Sequence, residues 1–326
     1  MTRKTDVSLI EISDIRSAAQ RIGGRVHRTP LLSAASIGER AGVRLHLKCE
    51  SFQKTGSFKP RGALNKVLSL SPAEREKGII TVSAGNHAQA TAWAARQVSA
   101  PCVVVMPRDA PRSKLDAVRG YGAEVILHDD RATLFDKLRE EQEARGSTFV
   151  HPFDDPVGLA GAGTLGLEIA EDLPDLGAVV VPVGGGGLLC GVACAVKAVI
   201  PKSRVIAVEL TAGPGLKPAL DAGKPVPVSR PWNTLADGMT PPFVGAIPLE
   251  AAKRFVDEIV TVTEEEIIAA MVLLLTRAKL YVEGSGAAAT AALVAGKVKL
   301  PANTLTVAIV SGGNVDLDRM ASALTA

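Results

Sequence analysis

The sequence predicts an α/β protein with mostly parallel, twisted sheets and helices on both faces. Short runs rich in Val and Ile alternate with helical stretches along the chain, and such alternation builds βαβ units. The 326 residues exceed the usual size of a single core, and 47% of them are hydrophobic, so a large interior can be buried. The expected architecture is therefore a doubly wound α/β fold.

The boundaries of the elements follow from where these runs begin and end. Strands are predicted near 45–49, 79–82, 102–106, 124–127, 178–183, 204–209 and 305–310. Helices are predicted at 12–22, 60–70, 87–98, 112–120, 131–145, 157–171, 188–199, 263–279 and 285–296. Residues 212–248 are rich in Pro and Gly and are expected to form the longest irregular stretch.

Two domains are expected. Residues 78–147 contain three complete strand–helix units, which predicts a small mobile domain inserted into a large domain of residues 1–77 and 148–326. Ligands of open α/β sheets bind where strands end, so the cleft between the domains is the expected site, and the small domain would close over it.

Composition and charge exclude several classes of protein. The net charge is +3, and no basic stripe is interleaved with aromatic residues, which argues against a nucleic-acid partner. No apolar run reaches the ~18 residues of a membrane span, and Asp6, Glu11 and Asp14 interrupt the start where a signal peptide would be apolar. A cytoplasmic protein with no membrane association is expected.

The four cysteines contain no C-x-x-C pair and no histidine at ligand spacing. Cys190 and Cys194 lie four residues apart on a predicted helix and could chelate a metal. Buried free cysteine more often behaves as a small apolar residue. Reduced thiols and no bound metal are therefore expected.

Lys59 lies in the segment SFQKTGSFKPRGALN, where a strand is predicted to pass into a helix. Pro60 suits only the first helical turn, which places Lys59 at the helix start. The positive end of the helix dipole disfavours an ammonium there, so a lysine in a dry site tends to lose its proton. A neutral amine can form an imine with an aldehyde. The alternative is a solvated surface lysine.

The loop Gly184-Gly185-Gly186-Gly187 follows a strand and precedes a helix. Bare backbone N–H groups at a helix start favour phosphate. A P-loop is excluded because Lys and Ser/Thr do not follow the last glycine. A dinucleotide site remains an alternative because Glu209 ends the next strand, but the G-x-G-x-x-G spacing fails. A monophosphate site is therefore favoured.

Two further junctions carry polar groups. Ser83-Ala84-Gly85-Asn86-His87 opens a helix and suits an anion such as a carboxylate, with a plain helix cap as the alternative. Ser311-Gly312-Gly313-Asn314 lets a flat ligand approach the backbone, with a tight turn as the alternative. With Lys59, the junctions match pyridoxal 5′-phosphate and an amino acid, which together have a phosphate, an aldehyde, a ring nitrogen and a carboxylate.

At this point the chain resembles the fold-type II pyridoxal-phosphate enzymes, which have a tryptophan synthase β-like fold, and within them the threonine/serine dehydratase and serine racemase group. The resemblance runs through RTPLL, SFKPRGA, SAGNHAQA, VGGGGL, LADG, VEGSGAAA and SGGNVD in this order. It implies that Lys59 is the catalytic lysine that forms the cofactor imine. The other implied cofactor contacts are Phe58 at the ring, Asn86 at the phenolic oxygen, Gly184, Gly185, Gly186, Gly187 and Leu188 at the phosphate, Ser311 at the pyridine nitrogen, and Glu283 nearby. The implied substrate-carboxylate loop is Ser83, Ala84, Gly85, Asn86 and His87.

The activity implied by the resemblance is a lyase reaction on L-threonine and L-serine. Elimination of the β-hydroxyl would yield 2-oxobutyrate or pyruvate and ammonia. Ser311 is a hydroxyl and not a carboxylate, so the ring nitrogen should stay largely unprotonated, which favours elimination over transamination. The group works as homodimers or homotetramers, and one of these assemblies is expected here.

Several alternatives stay open. Racemases of the group carry a second serine where this chain has Ala84, so racemisation is expected to be at most a side activity. Another β-hydroxy amino acid such as hydroxyaspartate could be the substrate, although Phe135 stands where acid-handling relatives carry arginine. A metal near Glu209 is not expected, because Gly215 replaces the acid that relatives carry. Nicotinamide-dependent oxidoreduction and noncatalytic amino-acid sensing are the remaining classes.

Overall fold

The computed structural model describes residues 7–229 and 233–325. Two segments that bear on the predictions lie outside the described residues. They are residues 1–6, which include Asp6, and residues 230–232 of the stretch predicted to be irregular. The strands are β1 (Leu31–Ser33), β2 (Arg44–Cys49), β3 (Ile79–Val82), β4 (Cys102–Pro107), β5 (Glu124–His128), β6 (Thr148–Phe149), β7 (Ala178–Pro182), β8 (Arg204–Leu210), β9 (Glu258–Val262) and β10 (Leu305–Val310). The α-helices are α1 (Ile12–Ile22), α2 (Ala35–Ala41), α3 (Lys59–Ser69), α4 (Pro72–Lys77), α5 (Asn86–Arg96), α6 (Arg112–Gly120), α7 (Leu134–Arg145), α8 (Pro156–Asp172), α9 (Gly187–Val199), α10 (Leu216–Ala222), α11 (Ala246–Phe255), α12 (Glu264–Leu273), α13 (Gly284–Val294) and α14 (Leu317–Thr325).

These strands form two sheets. The larger has the order β1-β2-β10-β7-β8-β9 and the smaller the order β5-β4-β3-β6. Their neighbouring strands pair in parallel, apart from the antiparallel β1–β2 pair. The α/β class with mostly parallel sheets is confirmed.

The centre of the larger sheet is buried on both faces, as βαβ connections require. Along β7, Val180 belongs to the apolar cluster that contains α13 and β10 residues such as Ala308. Its neighbours Val179 and Val181 belong to the opposite cluster with α9. Successive strand side chains point to opposite faces, so each apolar run supplies both clusters.

The smaller sheet is covered by α5 and α6 on one face and by α7 on the other. Its strand β6 lies at Thr148–Phe149, just beyond the predicted small domain of residues 78–147, and pairs with β3. The division into a large and a small mobile domain stays a prediction. Helix α3 packs against both α5 and α8 and so joins the two sheets.

Each predicted strand is present, but three short or edge strands, β1, β6 and β9, were missed. The predicted helices are also present. The last turn of the predicted helix 263–279 is a π-helix at Leu274–Ala278. The predicted helix 131–145 begins with a 3₁₀ turn at Arg131–Thr133. The sequence patterns did not predict α2, α4, α10, α11 and α14.

The prediction of an irregular stretch over 212–248 is wrong at two places. Helix α10 lies within it and α11 begins in it. Their prolines, Pro218 and Pro248, lie in first helical turns, where the missing N–H costs no hydrogen bond. The segments that follow β3, β7 and β10 meet near Lys59, since His87 and Gly187 line one cavity with it and Asn314 bonds to Asn86. These segments carry predicted site residues.

Candidate active site

Lys59 is the first residue of α3, and Pro60 lies in the first turn as predicted. The predicted direct passage from strand to helix is wrong, because β2 ends at Cys49 and 3₁₀ turns at Glu50–Phe52 and Lys54–Gly56 intervene. The backbone N–H of Phe58 donates to the Ser311 carbonyl at 3.0 Å. This hydrogen bond brings the lysine segment and the C-terminal glycine loop together.

The Lys59 amine is held inside the site. Its Nζ donates to the carbonyl oxygen of Pro152 at 2.7 Å and lies 5.1 Å from the centre of the Phe58 ring. Burial lowers the pKa of Lys59 to about 8, and the nearby Glu283 carboxylate opposes that shift. The amine lines a cavity together with His87, Phe153 and Gly187. A substantial share of Lys59 is therefore neutral near physiological pH.

A buried ion network anchors the start of α3, two residues after Lys59. The Arg61 guanidinium donates from Nε and Nη2 to the two oxygens of Glu50, and from Nη1 to Glu168. Lys48 donates to Glu168 at 2.6 Å. Two cations meet two carboxylates, so the charges balance in an interior where unpaired charge is costly. The network ties α3 to β2 and α8 and thereby limits where Lys59 can lie.

The four-glycine loop connects β7 to α9 and is packed too tightly for side chains. A Cβ at Gly185 would lie 2.3 Å from Cγ of Phe153, and one at Gly186 would lie 2.6 Å from Cβ of Pro248. Gly186 has a φ of +88°, which favours glycine. Helix α9 begins at Gly187, so its first N–H groups, including that of Leu188, have no partner within the helix. Bare N–H groups in this arrangement, here called the glycine cradle, are able to accept an anion at the helix start.

The segment Ser83–His87 leads from the end of β3 into the first turn of α5. Ser83 Oγ accepts from the Gly85 N–H at 3.1 Å, so it closes the turn and does not cap the helix. The ring of His87 donates from Nε2 to the Val150 carbonyl, and burial together with the charge of Lys59 lowers its pKa to about 3. The imidazole is neutral, and the loop offers backbone N–H groups; Ala84 adds only a methyl group.

Asn86 is the first residue of α5, and its amide joins two other predicted segments. Its Nδ2 donates to Glu283 Oε1 at 2.7 Å, and its Oδ1 accepts from Asn314 Nδ2 at 2.7 Å. Glu283 precedes α13 and is 2% exposed. Burial and the charge of Asp237 raise the pKa of Glu283 to about 8. Residues from positions 86, 283 and 314 thus meet beside the lysine.

Ser311 follows β10 and is buried, with its hydroxyl donating to the Ser285 carbonyl at 3.2 Å. Among the described residues, three buried oxygens of the site make no hydrogen bond: Ser57 Oγ, Ser285 Oγ and Glu283 Oε2. Buried polar atoms without partners are uncommon unless a ligand or water supplies them. With the glycine cradle and the lowered pKa of Lys59, they fit pyridoxal 5′-phosphate, whose phosphate, aldehyde and ring nitrogen need such partners.

Glu209 serves a structural purpose. One carboxylate oxygen accepts from the N–H groups of Gly215 and Leu216 at 2.7 and 2.8 Å. These groups lie at the start of α10, where a carboxylate is favoured by the helix dipole. In the described residues, no group of three or more His, Cys, Asp or Glu side chains could hold a metal. The four cysteines are buried and free.

Sequence reasoning missed several residues of the site. The Pro152 carbonyl and the Phe153 ring belong to HPFDDP, which carries no obvious chemical signature. Lys114, on α6, forms an ion pair with Asp237 of the LADG segment, and a Cβ at Gly85 would lie 3.9 Å from its Nζ. Only the fold brings α6 to this place. Asp237 itself lies in one of the motifs that carry the family resemblance.

Comparisons with known proteins agree with this geometry. Residues 22–312 match the family described as "Pyridoxal-phosphate dependent enzyme". The L-threonine ammonia-lyase of Thermotoga maritima is 46% identical over 316 residues, covering 95% of this chain and 77% of that protein. The L-threonine dehydratase catabolic TdcB of Escherichia coli K12 is 43% identical over 313 residues, covering 95% of each chain.

Solved structures show the same fold. Maize serine racemase superposes with a TM-score of 0.91 at 36% identity and covers 98% of both chains. A threonine deaminase from T.th. superposes with a TM-score of 0.88 at 42% identity, covering 94% of this chain and 99% of that one. In the part of the chain that the structure describes, no helix has the length and apolar character to span a bilayer. The chain therefore belongs to the family of pyridoxal-phosphate dependent enzymes.

Proposed function

We propose that this chain is an L-threonine ammonia-lyase that also accepts L-serine, releasing 2-oxobutyrate or pyruvate together with ammonia. The observation that carries the proposal is Lys59, whose amine has a pKa lowered to about 8 and lies in one cavity with the end of the glycine loop. Relatives named L-threonine ammonia-lyase and L-threonine dehydratase, at 46% and 43% identity over nearly the whole chain, support the substrate.

The cofactor, when bound, supplies an electron sink for the electrons of a broken Cα–H bond. The residues proposed to hold its phosphate are Gly184, Gly185, Gly186, Gly187 and Leu188. Phe58 would pack on the ring, Asn86 would donate to the phenolic oxygen, and Ser311 would offer the ring nitrogen a neutral hydroxyl. Since Ser311 carries no charge, it gives a protonated ring nitrogen little support.

Lys59 Nζ is the proposed base that takes the proton from Cα of the substrate. A base works best when its pKa lies near the working pH, and burial brings Lys59 into that range. The Pro152 carbonyl accepts a hydrogen from the same amine, which orients its lone pair. The β-hydroxyl then leaves as water, with the net uptake of the proton taken from Cα, as a double bond forms between Cα and Cβ. The released enamine tautomerises to an imine, and hydrolysis of the imine by water gives the 2-oxo acid and ammonia.

The substrate carboxylate is proposed to bind the N–H groups of Ser83–His87 at the start of α5. An aromatic group adjoins the Lys59 cavity through His151, and its member Phe135 lies 6.4 Å from both His151 and Phe243, measured between ring centres. These rings favour an uncharged β-substituent such as the hydroxyethyl group of threonine. A hydroxyaspartate dehydratase, the alternative, needs a cation for its second carboxylate, and Phe135 supplies none.

Serine racemisation is the second candidate, because maize serine racemase shares the fold at 36% identity. Reprotonation from the opposite face needs a proton donor, and the methyl group of Ala84 has none. Formation of D-serine from L-serine, measured beside pyruvate release, tests this point. A racemisation rate close to the rate of pyruvate release would contradict the assignment.

The main test is the variant Lys59→Ala, with exposed Lys217→Ala as its matched control. Wild type and the control should show an absorbance band near about 410–420 nm that borohydride removes, and should release 2-oxobutyrate from L-threonine. The Lys59 variant should lose both. Substantial 2-oxo acid release by that variant would discard the role of Lys59.

We also propose that the enzyme works in the cytoplasm as a homodimer or homotetramer. The buried, free cysteines suit a reducing compartment. Light scattering during gel filtration gives the mass of the assembly, and a monomer at micromolar concentration would contradict the proposal.

A further inference from the structure

Three side chains from distant parts of the sequence form one hydrogen-bonded row beside Lys59. Asn314 Nδ2 donates to the carbonyl oxygen of Thr55 and to Asn86 Oδ1, each at 2.7 Å. Asn86 Nδ2 in turn donates to Glu283 Oε1 at 2.7 Å. The row therefore runs from a donor at Asn314 to an acceptor at Glu283.

This order of donors and acceptors decides which way the Asn86 amide faces. The oxygen and nitrogen ends of an amide have nearly the same shape, so their partners select the orientation. Asn314 presents N–H groups and requires Oδ1, whereas Glu283 presents an oxygen and requires Nδ2. Within the described residues, Asn86 Nδ2 donates one of its two hydrogens to Glu283. Its second N–H is therefore available to a ligand.

Glu283 has little freedom to move. A Cβ at Gly312 would lie 2.5 Å from Oε1, so the loop packs directly on the carboxyl group. The second oxygen, Oε2, is buried and makes no hydrogen bond within the described residues. A carboxyl group held in this way presents one oxygen to Asn86 and keeps the other available inside the site.

The charged groups that act on Glu283 come from several elements. Asp237, in the 3₁₀ turn Asp237–Met239, favours the protonated form, whereas Lys114 on α6 favours the ionised form. Lys59 on α3 interacts with the same carboxyl group. With burial as the largest influence, the pKa of Glu283 is raised to about 8, so the group is mostly protonated at neutral pH.

We propose that Glu283 is a positioning residue that acts on the cofactor through Asn86. Its Oε1 sets the orientation of the amide and leaves the second N–H of Asn86 for the phenolic oxygen, while its Oε2 holds a titratable proton in the same site. This role rests on the proposed cofactor contact of Asn86. It gives Glu283 two separable effects, one on cofactor affinity and one on the pH at which the bound cofactor changes its absorbance.

Two substitutions separate these effects. Glu283→Gln keeps an oxygen for Asn86 but cannot ionise, whereas Glu283→Ala removes both properties. The Gln variant should keep its cofactor affinity within about threefold of wild type, and the Ala variant should lose about tenfold, the size of one good hydrogen bond. In both variants the pH midpoint of the absorbance change should fall, because the wild-type carboxylate that forms at high pH stabilises positive charge nearby.

Measurements use the purified protein with added pyridoxal 5′-phosphate. Absorbance is titrated between about pH 6 and about pH 11, a range that includes both the lowered and the ordinary lysine pKa. Equilibrium dialysis measures cofactor affinity, and circular dichroism checks folding. Glu265→Gln, at an exposed position, is the matched control and should behave as wild type. Asn314→Asp tests the other end of the row, because the new carboxylate would repel Asn86 Oδ1. Cofactor affinity should fall about tenfold in this variant, while Glu283 can still titrate.

The proposal is overturned if the pH midpoint of the absorbance change in Glu283→Gln equals that of wild type. It is also overturned if the Gln and Ala variants bind the cofactor with equal affinity. If Glu283→Ala does not fold, Asn314→Asp with wild-type affinity overturns it instead. A failure of the proposed function has a different signature, since the wild-type protein would then show no absorbance band that depends on Lys59.

Discussion

The guanidinium of Arg61 and the carboxylate of Glu50 form a bidentate ion pair in the interior, with both N–O distances at 2.8 Å. Both side chains are fully buried. Arg61 follows Lys59 by two residues, so the pair holds the helix turn that presents the amine.

The substitution Arg61→Leu should destabilise the protein by about 3–5 kcal/mol, because it leaves Glu50 charged and buried without its partner. The matched control is Arg28→Leu, whose partners Glu171 and Asp172 lie at the surface; its cost should stay below about 1 kcal/mol. Urea unfolding followed by circular dichroism measures both. Equal costs for the two variants would show that the buried pair contributes no more than a surface pair.

The substitution Gly185→Ala should weaken cofactor binding at least about tenfold, since its Cβ would lie 2.3 Å from the Phe153 ring. Gly120→Ala is the control, because no atom lies within 4 Å of its Cβ. Equilibrium dialysis with pyridoxal 5′-phosphate compares the two proteins. The double variant Gly185→Ala with Phe153→Ala should recover part of the affinity, and the absence of any recovery would point to a cause other than this clash.

The ion pair between Lys114 and Asp237 joins α6, beside the smaller sheet, to the 3₁₀ turn Asp237–Met239, which lies between β8 and β9 of the larger sheet. Ser113 adds a bond from Oγ to Asp316 Oδ1 at 2.6 Å. We predict that Asp237→Asn, which removes the charge that pairs with Lys114, raises the KM for L-threonine several-fold, with faster hydrogen exchange in residues 83–87. Asp129→Asn, which breaks an exposed pair with Arg108, is the control. Unchanged hydrogen exchange and KM in Asp237→Asn would show that this ion pair does not hold α6 against the 3₁₀ turn Asp237–Met239.

The pH dependence of cofactor loading should follow the Lys59 amine. Its pKa of about 8 lies below the ordinary 10.5, so the reactive neutral form makes up half of the amine at about pH 8 and levels off roughly one pH unit above that. Rapid-mixing absorbance on cofactor-free protein measures the rate. Glu283→Gln separates the lysine from the carboxyl group, whose pKa is also about 8. A rate that continues to climb toward about pH 10.5 would mean that the amine is not buried.

The lowered pKa of Lys59 also makes the free energy of unfolding depend on pH. In the cofactor-free protein, the folded state releases the Lys59 proton at a lower pH than the unfolded chain does. The contribution of Lys59 to stability should therefore increase between about pH 8 and 10.5 and be constant outside that window. The difference between wild type and Lys59→Met in urea unfolding, measured at several pH values, checks the sign.

Much of the fold was predictable because its signals are local. Val-rich runs such as β7 alternate between two buried faces, and Pro60 marks a helix start from its own ring geometry. The elements that were missed lack such signals: β6 has two residues, and α10 and α11 contain prolines that suggest loops but lie in first turns. Their structure depends on what packs against them.

By itself, the sequence determined the alternating α/β pattern, the four-glycine loop, the lysine before Pro60 and the order of motifs that marks the family. These depend on residue type and spacing along the chain. Only the tertiary structure decided that Lys59 faces the Pro152 carbonyl, that Asn86 is oriented between Asn314 and Glu283, and that Glu209 caps α10. The physical reason is that pKa shifts, buried oxygens without partners and amide orientation arise from groups far apart in sequence, which meet only when the sheets and helices pack.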